Sequence, residues 1–290
     1  MKSPLAQAIS LIQQRWPDCQ STAVDEPIFL LAAGWRSGST LVQRMLLDCC
    51  LMWGEPYEIS GMIERLAQPL TCFRHDWPPE HYFIHHPSWQ GRLAEKWTAD
   101  LYPSPQHLLE AHVAFLRRLF AEPAHLQGYR RWGIKAVRFG IEYAFYLRWV
   151  FPKARFLFLI RDPYACWMSF RRIGVAVIRR WPEDVWHTPE QFGQHWLSLA
   201  QGFYQSHAQV GGRLILYEQL LSPGFDPRPL EEYLGVPLNM QARELRVPGA
   251  VGDNPISPDE LLRLHAVVGP FAAQLGYHLP LDFFRFQAIV

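Results

Sequence analysis

The chain has 290 residues, 49% of them apolar and 19% charged, which fits one large domain or two small ones and excludes a disordered chain. Twenty-eight basic and 27 acidic side chains leave a formal charge of +1, so no whole-molecule field gathers nucleic acid or an anionic membrane, and any anion site must be local. Only Lys2, Lys96, Lys135 and Lys153 are lysines against 24 arginines; a GC-rich genome accounts for such a count, so position must show which arginines meet oxyanions.

In chain order, residues 4–16 place Leu5, Ile9, Ile12 and Trp16 at helical spacing and predict an amphipathic helix. Pro27-Ile28-Phe29-Leu30-Leu31-Ala32-Ala33 is a compact apolar run that stops at Gly34, and from Gly38 to about Leu51 the spacing turns helical. The pattern is strand, tight loop, helix. Residues 53–105, dense in Trp, His and Pro, predict an irregular or short-helical insert. Leu108, Leu109, His112, Val113, Leu116, Leu119 and Phe120 then form the stripe of a core-facing helix. Arg155 to Ile160 is a second apolar run, closed by Arg161-Asp162-Pro163 and followed by helical spacing, and Arg213 to Tyr217 is a third. Ser257-Pro258-Asp259-Glu260 holds the parts of a capping box, with Gly276 just past that helix. Short apolar strands alternating with longer helices predict an α/β fold, a central parallel sheet flanked by helices, with residues 1–290 as a single domain.

The five cysteines, Cys19, Cys49, Cys50, Cys72 and Cys166, form no C-x-x-C pair, which predicts reduced thiols and a cytoplasmic protein. The N-terminus has no apolar stretch of signal-peptide length and no run of ~18 apolar residues occurs, so neither secretion nor a membrane span is expected.

The most informative stretch is Gly34-Trp35-Arg36-Ser37-Gly38-Ser39-Thr40-Leu41 between strand and helix. Glycines let backbone N–H groups turn inward, the helix N-terminus adds partial positive charge, and three hydroxyls with one guanidinium can donate to an oxyanion. The stretch is not a nucleotide triphosphatase loop of the G-x-x-x-x-G-K-[ST] kind, because Ser39 stands where the Walker lysine should follow the glycine and the loop is one residue short. An ordinary Gly/Ser turn is the plain alternative, which placement after a buried strand disfavours.

Arg36-Ser37-Gly38-Ser39-Thr40 resembles the 5′-phosphosulfate loop of sulfotransferases that use 3′-phosphoadenosine 5′-phosphosulfate (PAPS). That resemblance implies a P-loop-like sulfotransferase fold, Arg36 at the bridging and 5′-phosphate oxygens, and Ser37, Gly38, Ser39 and Thr40 as the cradle. In the same family a strand ends in an arginine, and a serine eight residues on joins it at the 3′-phosphate; Arg161 and Ser169 have that spacing. Tyr217-Glu218-Gln219-Leu220 is similar to a family segment whose tyrosine lies near adenine, although a core tyrosine fits as well. Gly249-Ala250-Val251-Gly252-Asp253 keeps a G-x-x-G-D of the cytosolic branch, while its flanks depart from that branch, as does Leu41, which stands in place of the aromatic that stacks on adenine there.

The resemblance also implies a base for the acceptor hydroxyl. Cytosolic members place a histidine two residues after a lysine; here Lys135 is followed by Val137, which cannot take a proton. Golgi-type and several bacterial members use a glutamate shortly after the first helix, which points to Glu55 in Gly54-Glu55-Pro56, with Glu58 as rival, and to a chain closer to that branch. Lys135 then lies where an ammonium neutralises charge on the transferring group. His81 and His85 at i, i+4, near His75, His86 and Asp76, have spacing for a metal on a helix, but no Cys or H-E-x-x-H frame joins them, and the implied chemistry requires no metal. They are read instead with a lid or acceptor pocket.

Trp53, Tyr57, Phe73, Trp77, Tyr82, Phe83, Trp89 and Trp97 crowd the insert, and Trp181, Trp186 and Trp196 follow Arg161; core packing or an acceptor pocket for an aromatic, sugar or lipid-like compound explains them. The acceptor is expected to be a small-molecule or carrier-bound hydroxyl, with no nucleic acid partner. Two rivals stand beside this reading: a P-loop kinase or NTPase, and a non-catalytic binding descendant of the fold.

Overall fold

The computed structural model describes residues 3–55, 61–172, 188–244 and 256–280. Helix α1 (Pro4–Arg15) opens on Ser3, whose hydroxyl accepts from the Ala6 N–H, and buries Leu5, Ala8, Ile9 and Ile12. Strand β1 (Ile28–Ala32), α2 (Ser39–Leu46), β2 (Cys50–Trp53) and α3 (Met62–Ala67) follow. Next come α4 (Pro105–Leu116), α5 (Glu122–Leu126), β3 (Arg131–Ala136), α6 (Ile141–Val150), β4 (Arg155–Ile160) and α7 (Pro163–Arg171). The described chain closes with α8 (Pro189–Ser206), β5 (Arg213–Leu216), α9 (Tyr217–Leu221), α10 (Arg228–Leu234) and α11 (Pro258–Gln274).

The strands form one parallel sheet in the order β2-β3-β1-β4-β5, and the fold is α/β with helices on both faces. Alternate residues of the central strands feed separate cores. Phe29, Leu31, Phe156, Phe158 and Ile160 face the side covered by α1, α6, α7 and α8, whereas Ile28, Leu30, Ala32, Leu157 and Leu159 face α2, α9 and α10. The helix after β1 therefore lies on one face and the helix after β4 on the other. Where adjacent strands send their helices to opposite faces, the loops part and leave a crevice at the carboxyl ends of the strands.

One expected element is corrected. The helix expected to run from Gly38 to about Leu51 ends at Leu46, and Cys50–Trp53 is strand β2, paired with β3 from Cys50 opposite Arg131 to Trp53 opposite Ile134. A short apolar run carries no decisive period of its own, so the open edge of β3 determined its conformation.

The insert is a chain of short turns, including Glu80–Tyr82, Pro87–Trp89, Leu93–Glu95 and Thr98–Asp100, tied by a bridge between Phe83 and Tyr102. Phe73 and Phe83 pack edge-on against Trp16 at 5.7 and 5.4 Å. The Arg15 guanidinium donates to the carbonyls of Arg74, Trp77 and Pro78 at 2.9, 3.0 and 2.6 Å. Part of the aromatic content thus seats the insert on α1, while Trp77 and Trp97 remain exposed.

Candidate functional site

The crevice is furnished from the ends of all five strands. After β1, Gly34, Arg36 and Gly38 adopt φ of +81°, +62° and +84°. Left-handed residues alternating with ordinary ones curl successive N–H groups toward one side, making a concave nest for an anion at the start of α2. Arg36 carries a Cβ in that conformation, a strain of about 1 kcal/mol. Its carbonyl is held from outside the loop: Arg161 Nη1 donates to it at 2.7 Å and Cys166 Sγ at 3.5 Å. Gly38 has no alternative, because a Cβ there would lie 2.0 Å from Tyr217 Cε2.

Arg161 leaves the end of β4 and its guanidinium lies 4.5 Å from the centre of the Tyr217 ring, while Arg36 Nε donates to Ser169 Oγ on α7 at 2.9 Å. Arg36, Gly38, Arg161, Ser169 and Tyr217 therefore touch one another in sequence, and Ser39 and Thr40 form the first turn of α2 beside them. Burial and the neighbouring Arg161 charge lower the pKa of Arg36. Neither arginine forms an ion pair among the described residues. Ser37 Oγ and Arg161 Nε are buried donors with no hydrogen-bond partner among those residues. Two adjoining cations and two orphaned donors fit a polyanionic ligand.

Asp162 caps α7 by accepting from Tyr164 N at 2.8 Å and Ala165 N at 3.3 Å, and burial raises its pKa. Its own N–H donates to Glu218 Oε1, and Tyr277 from the chain's far end donates to Glu218 Oε2 at 2.6 Å.

The other half of the site joins residues 80 positions apart: the Lys135 ammonium on β3 pairs with the Glu55 carboxylate just beyond β2. Lys135 is 7% exposed, so both charges lie in an environment where neither is readily left alone. Val137, two residues on, is buried.

Tyr57, Glu58, Trp181, Trp186 and the Gly249–Asp253 segment lie outside the described residues. His81 lies in a single short turn and His86 caps the next through Ser88, so the spacing of His81 and His85 does not place them on one α-helix face. Among the described residues, no three or more His, Cys, Asp or Glu side chains come together in a way that could hold a metal ion. A cavity of about 370 Å³ is lined by Ser3, Leu5, Glu64, Gln68, Glu142 and Tyr143 among others, and by none of the aromatic residues named above for the insert.

Two neighbours of the site lie on α8: His195, which the sequence does not single out, and Trp196, which is read there only as a core or acceptor-pocket aromatic. Trp196 Nε1 donates to the Arg161 carbonyl at 3.1 Å, and His195 hydrogen-bonds the backbone of Val137. The helical spacing of α8 marks its buried face, but nothing local says which loop that face meets.

A family profile described as "Sulfotransferase family" matches residues 27–239, the span from β1 to just past α10. No curated protein matches. Among solved structures, a sulfotransferase from Alicyclobacillus acidocaldarius aligns at 17% identity and a TM-score of 0.41, covering 88% of this chain and 98% of the other. Sulfotransferase STF1 from Mycobacterium tuberculosis aligns at 15% identity and a TM-score of 0.41, covering 93% and 81%. No described helix is long and apolar enough to cross a membrane.

Proposed function

The chain belongs to the sulfotransferase family, and from that premise we propose that it moves a sulfuryl group from PAPS to a hydroxyl of a small-molecule or carrier-bound acceptor in the cytoplasm. The observation that supports this most directly is the pair of adjoining arginines, Arg36 and Arg161, joined through the Arg36 carbonyl, neither in a salt bridge among the described residues.

Arg36, Ser37, Gly38, Ser39 and Thr40 would hold the 5′ end of the donor, and Arg161 with Ser169 the 3′-phosphate. Tyr217, resting on Gly38 beneath the Arg161 guanidinium, would border the adenosine. In the transfer, a bond forms between the acceptor oxygen and sulfur while the bond from sulfur to the bridging oxygen breaks, its electron pair staying on the phosphate. Glu55 takes the acceptor's proton. Arg36 and Lys135 offset the charge that develops on the leaving oxygen and the sulfuryl oxygens.

The pairing of Glu55 with Lys135 adds a constraint on sequence of events. While the ammonium holds the carboxylate, the base is engaged; an anionic sulfuryl group drawing on Lys135 frees it.

Titration calorimetry with 3′-phosphoadenosine 5′-phosphate tests the reading. The wild type should bind, and Arg161→Ala should weaken binding on the order of 100-fold, the loss of a charge-assisted contact. Equal binding by both proteins would refute the second-site assignment. Stabilisation by ATP with Mg²⁺ and not by the bisphosphate would favour a nucleotide-binding enzyme instead.

A further inference from the structure

We propose that His195 and Trp196, consecutive residues of α8, are positioning residues that fix Lys135 and Arg161 relative to the phosphate loop. The inference rests on the sulfuryl-transfer reading and extends it to a helix that supplies no ligand contact in that reading.

Neighbouring residues on an α-helix point about 100° apart, so two in succession reach two different walls of a crevice. The Trp196 indole, fully buried, donates to the Arg161 carbonyl at 3.1 Å, anchoring the residue whose side chain spans to the loop. The His195 ring lies with Cδ2 3.7 Å from the position a Cβ would take on Gly34, the first left-handed residue of the loop. It also hydrogen-bonds the backbone of Val137. Val137 follows Lys135 by two residues at the end of β3. One imidazole thus spans the first loop glycine and the strand that carries the catalytic ammonium.

A positioning group must itself be fixed. Helix α8 starts on a reciprocal cap, Thr188 with Gln191. Its Gly193 leaves a Cβ position only 2.9 Å from Leu264 Cδ1 on α11, and Glu190 takes a two-point contact from Arg263 on that helix at 2.5 and 2.8 Å. Burial holds the His195 pKa down at about 4, so the ring is neutral near pH 7 and serves as a fixed dipole rather than a charge.

The two residues act on different quantities, which separates positioning from general damage. His195→Ala should lower the hydrolysis of PAPS to sulfate and the bisphosphate, with water standing in for the acceptor hydroxyl, about 30-fold per bisphosphate-binding site while bisphosphate affinity stays within about threefold, because displacement of Lys135 affects the reacting centre. His195→Gln, which keeps an N–H donor, should recover most of that loss. Trp196→Phe should weaken bisphosphate binding about fivefold, the worth of one hydrogen bond to Arg161. If folded His195→Ala and Trp196→Phe both keep wild-type turnover and affinity, or if His195→Gln is no better than His195→Ala, the proposal is overturned. A wild type that fails to bind the bisphosphate sinks the sulfotransferase reading itself, before any variant is compared.

Discussion

Glu55 and Lys135 form an ion pair with each other, and this decides which substitution tests the proposed base. Glu55→Ala leaves a buried ammonium unopposed, a loss of about 3–5 kcal/mol that would confound an activity assay. Glu55→Gln keeps the shape and an acceptor oxygen for the ammonium; it should lower kcat about 10³-fold with bisphosphate affinity within about threefold, and loss of that affinity would reassign Glu55 to structure. Gly38→Ala is the complementary case, because its Cβ would meet the Tyr217 ring at 2.0 Å in a backbone conformation that resists any side chain. It should abolish detectable bisphosphate binding in calorimetry, whereas Thr40→Ala, on the exposed side of the same turn, should leave most of it. Arg36 and Arg161 were legible in the sequence because each follows an apolar strand. The meeting of Glu55 with Lys135 was not, since it depends on β2 lying beside β3.

Strands β1 and β4 were readable as runs apolar on both faces, and their observed limits, Ile28–Ala32 and Arg155–Ile160, follow the runs closely. Strand β2 was hidden because four residues with buried and half-buried side chains in alternation extend a helical pattern as easily as they begin a strand. Capping signals fared better, with one difference at α11: Ser257 accepts from Glu260 N at 3.1 Å as a cap should, but the Glu260 carboxylate turns to Arg171 at 3.2 Å instead of back to its own cap. The long-range ion pair displaces half of the local motif. Asp162 is the cap nearest the site. Asp162→Ala should destabilise α7 by about 1 kcal/mol and lower the calorimetric melting temperature by about 2 °C. A larger fall would mean that the Asp162–Glu218–Tyr277 chain, not the cap alone, holds the segment.

The whole molecule gathers the candidate site at the carboxyl ends of the parallel strands and leaves titratable groups inside. Burial lowers the His112 pKa to about 4 and the His195 pKa to about 4 from the usual 6.5. The unfolded chain therefore takes up these protons more readily than the folded one. Stability should be full above pH 6.5 and fall as pH drops from 6.5 toward 4, by about 1.4 kcal/mol per unit for each histidine. Melting temperatures measured across that range should show the slope, and His112→Asn should make it shallower. At this scale the sequence disclosed the sheet and its alternation, because strand and helix periods differ. It could not disclose that α8 lies behind the crevice, because an apolar face is compatible with many neighbours.

If Arg36 and Arg161 hold the two ends of one ligand, the hydrogen bond from Arg161 to the Arg36 carbonyl should link those ends thermodynamically. Whatever steadies the arginine after β4 also steadies the loop after β1, and the reverse must hold to the same degree. Fragments of the donor should therefore report cooperativity: adenosine 3′-phosphate, occupying one end, should raise the affinity of the other for inorganic sulfate. The specificity of the site for a nucleotide carrying both groups would then come from the protein backbone as much as from the two guanidinium groups.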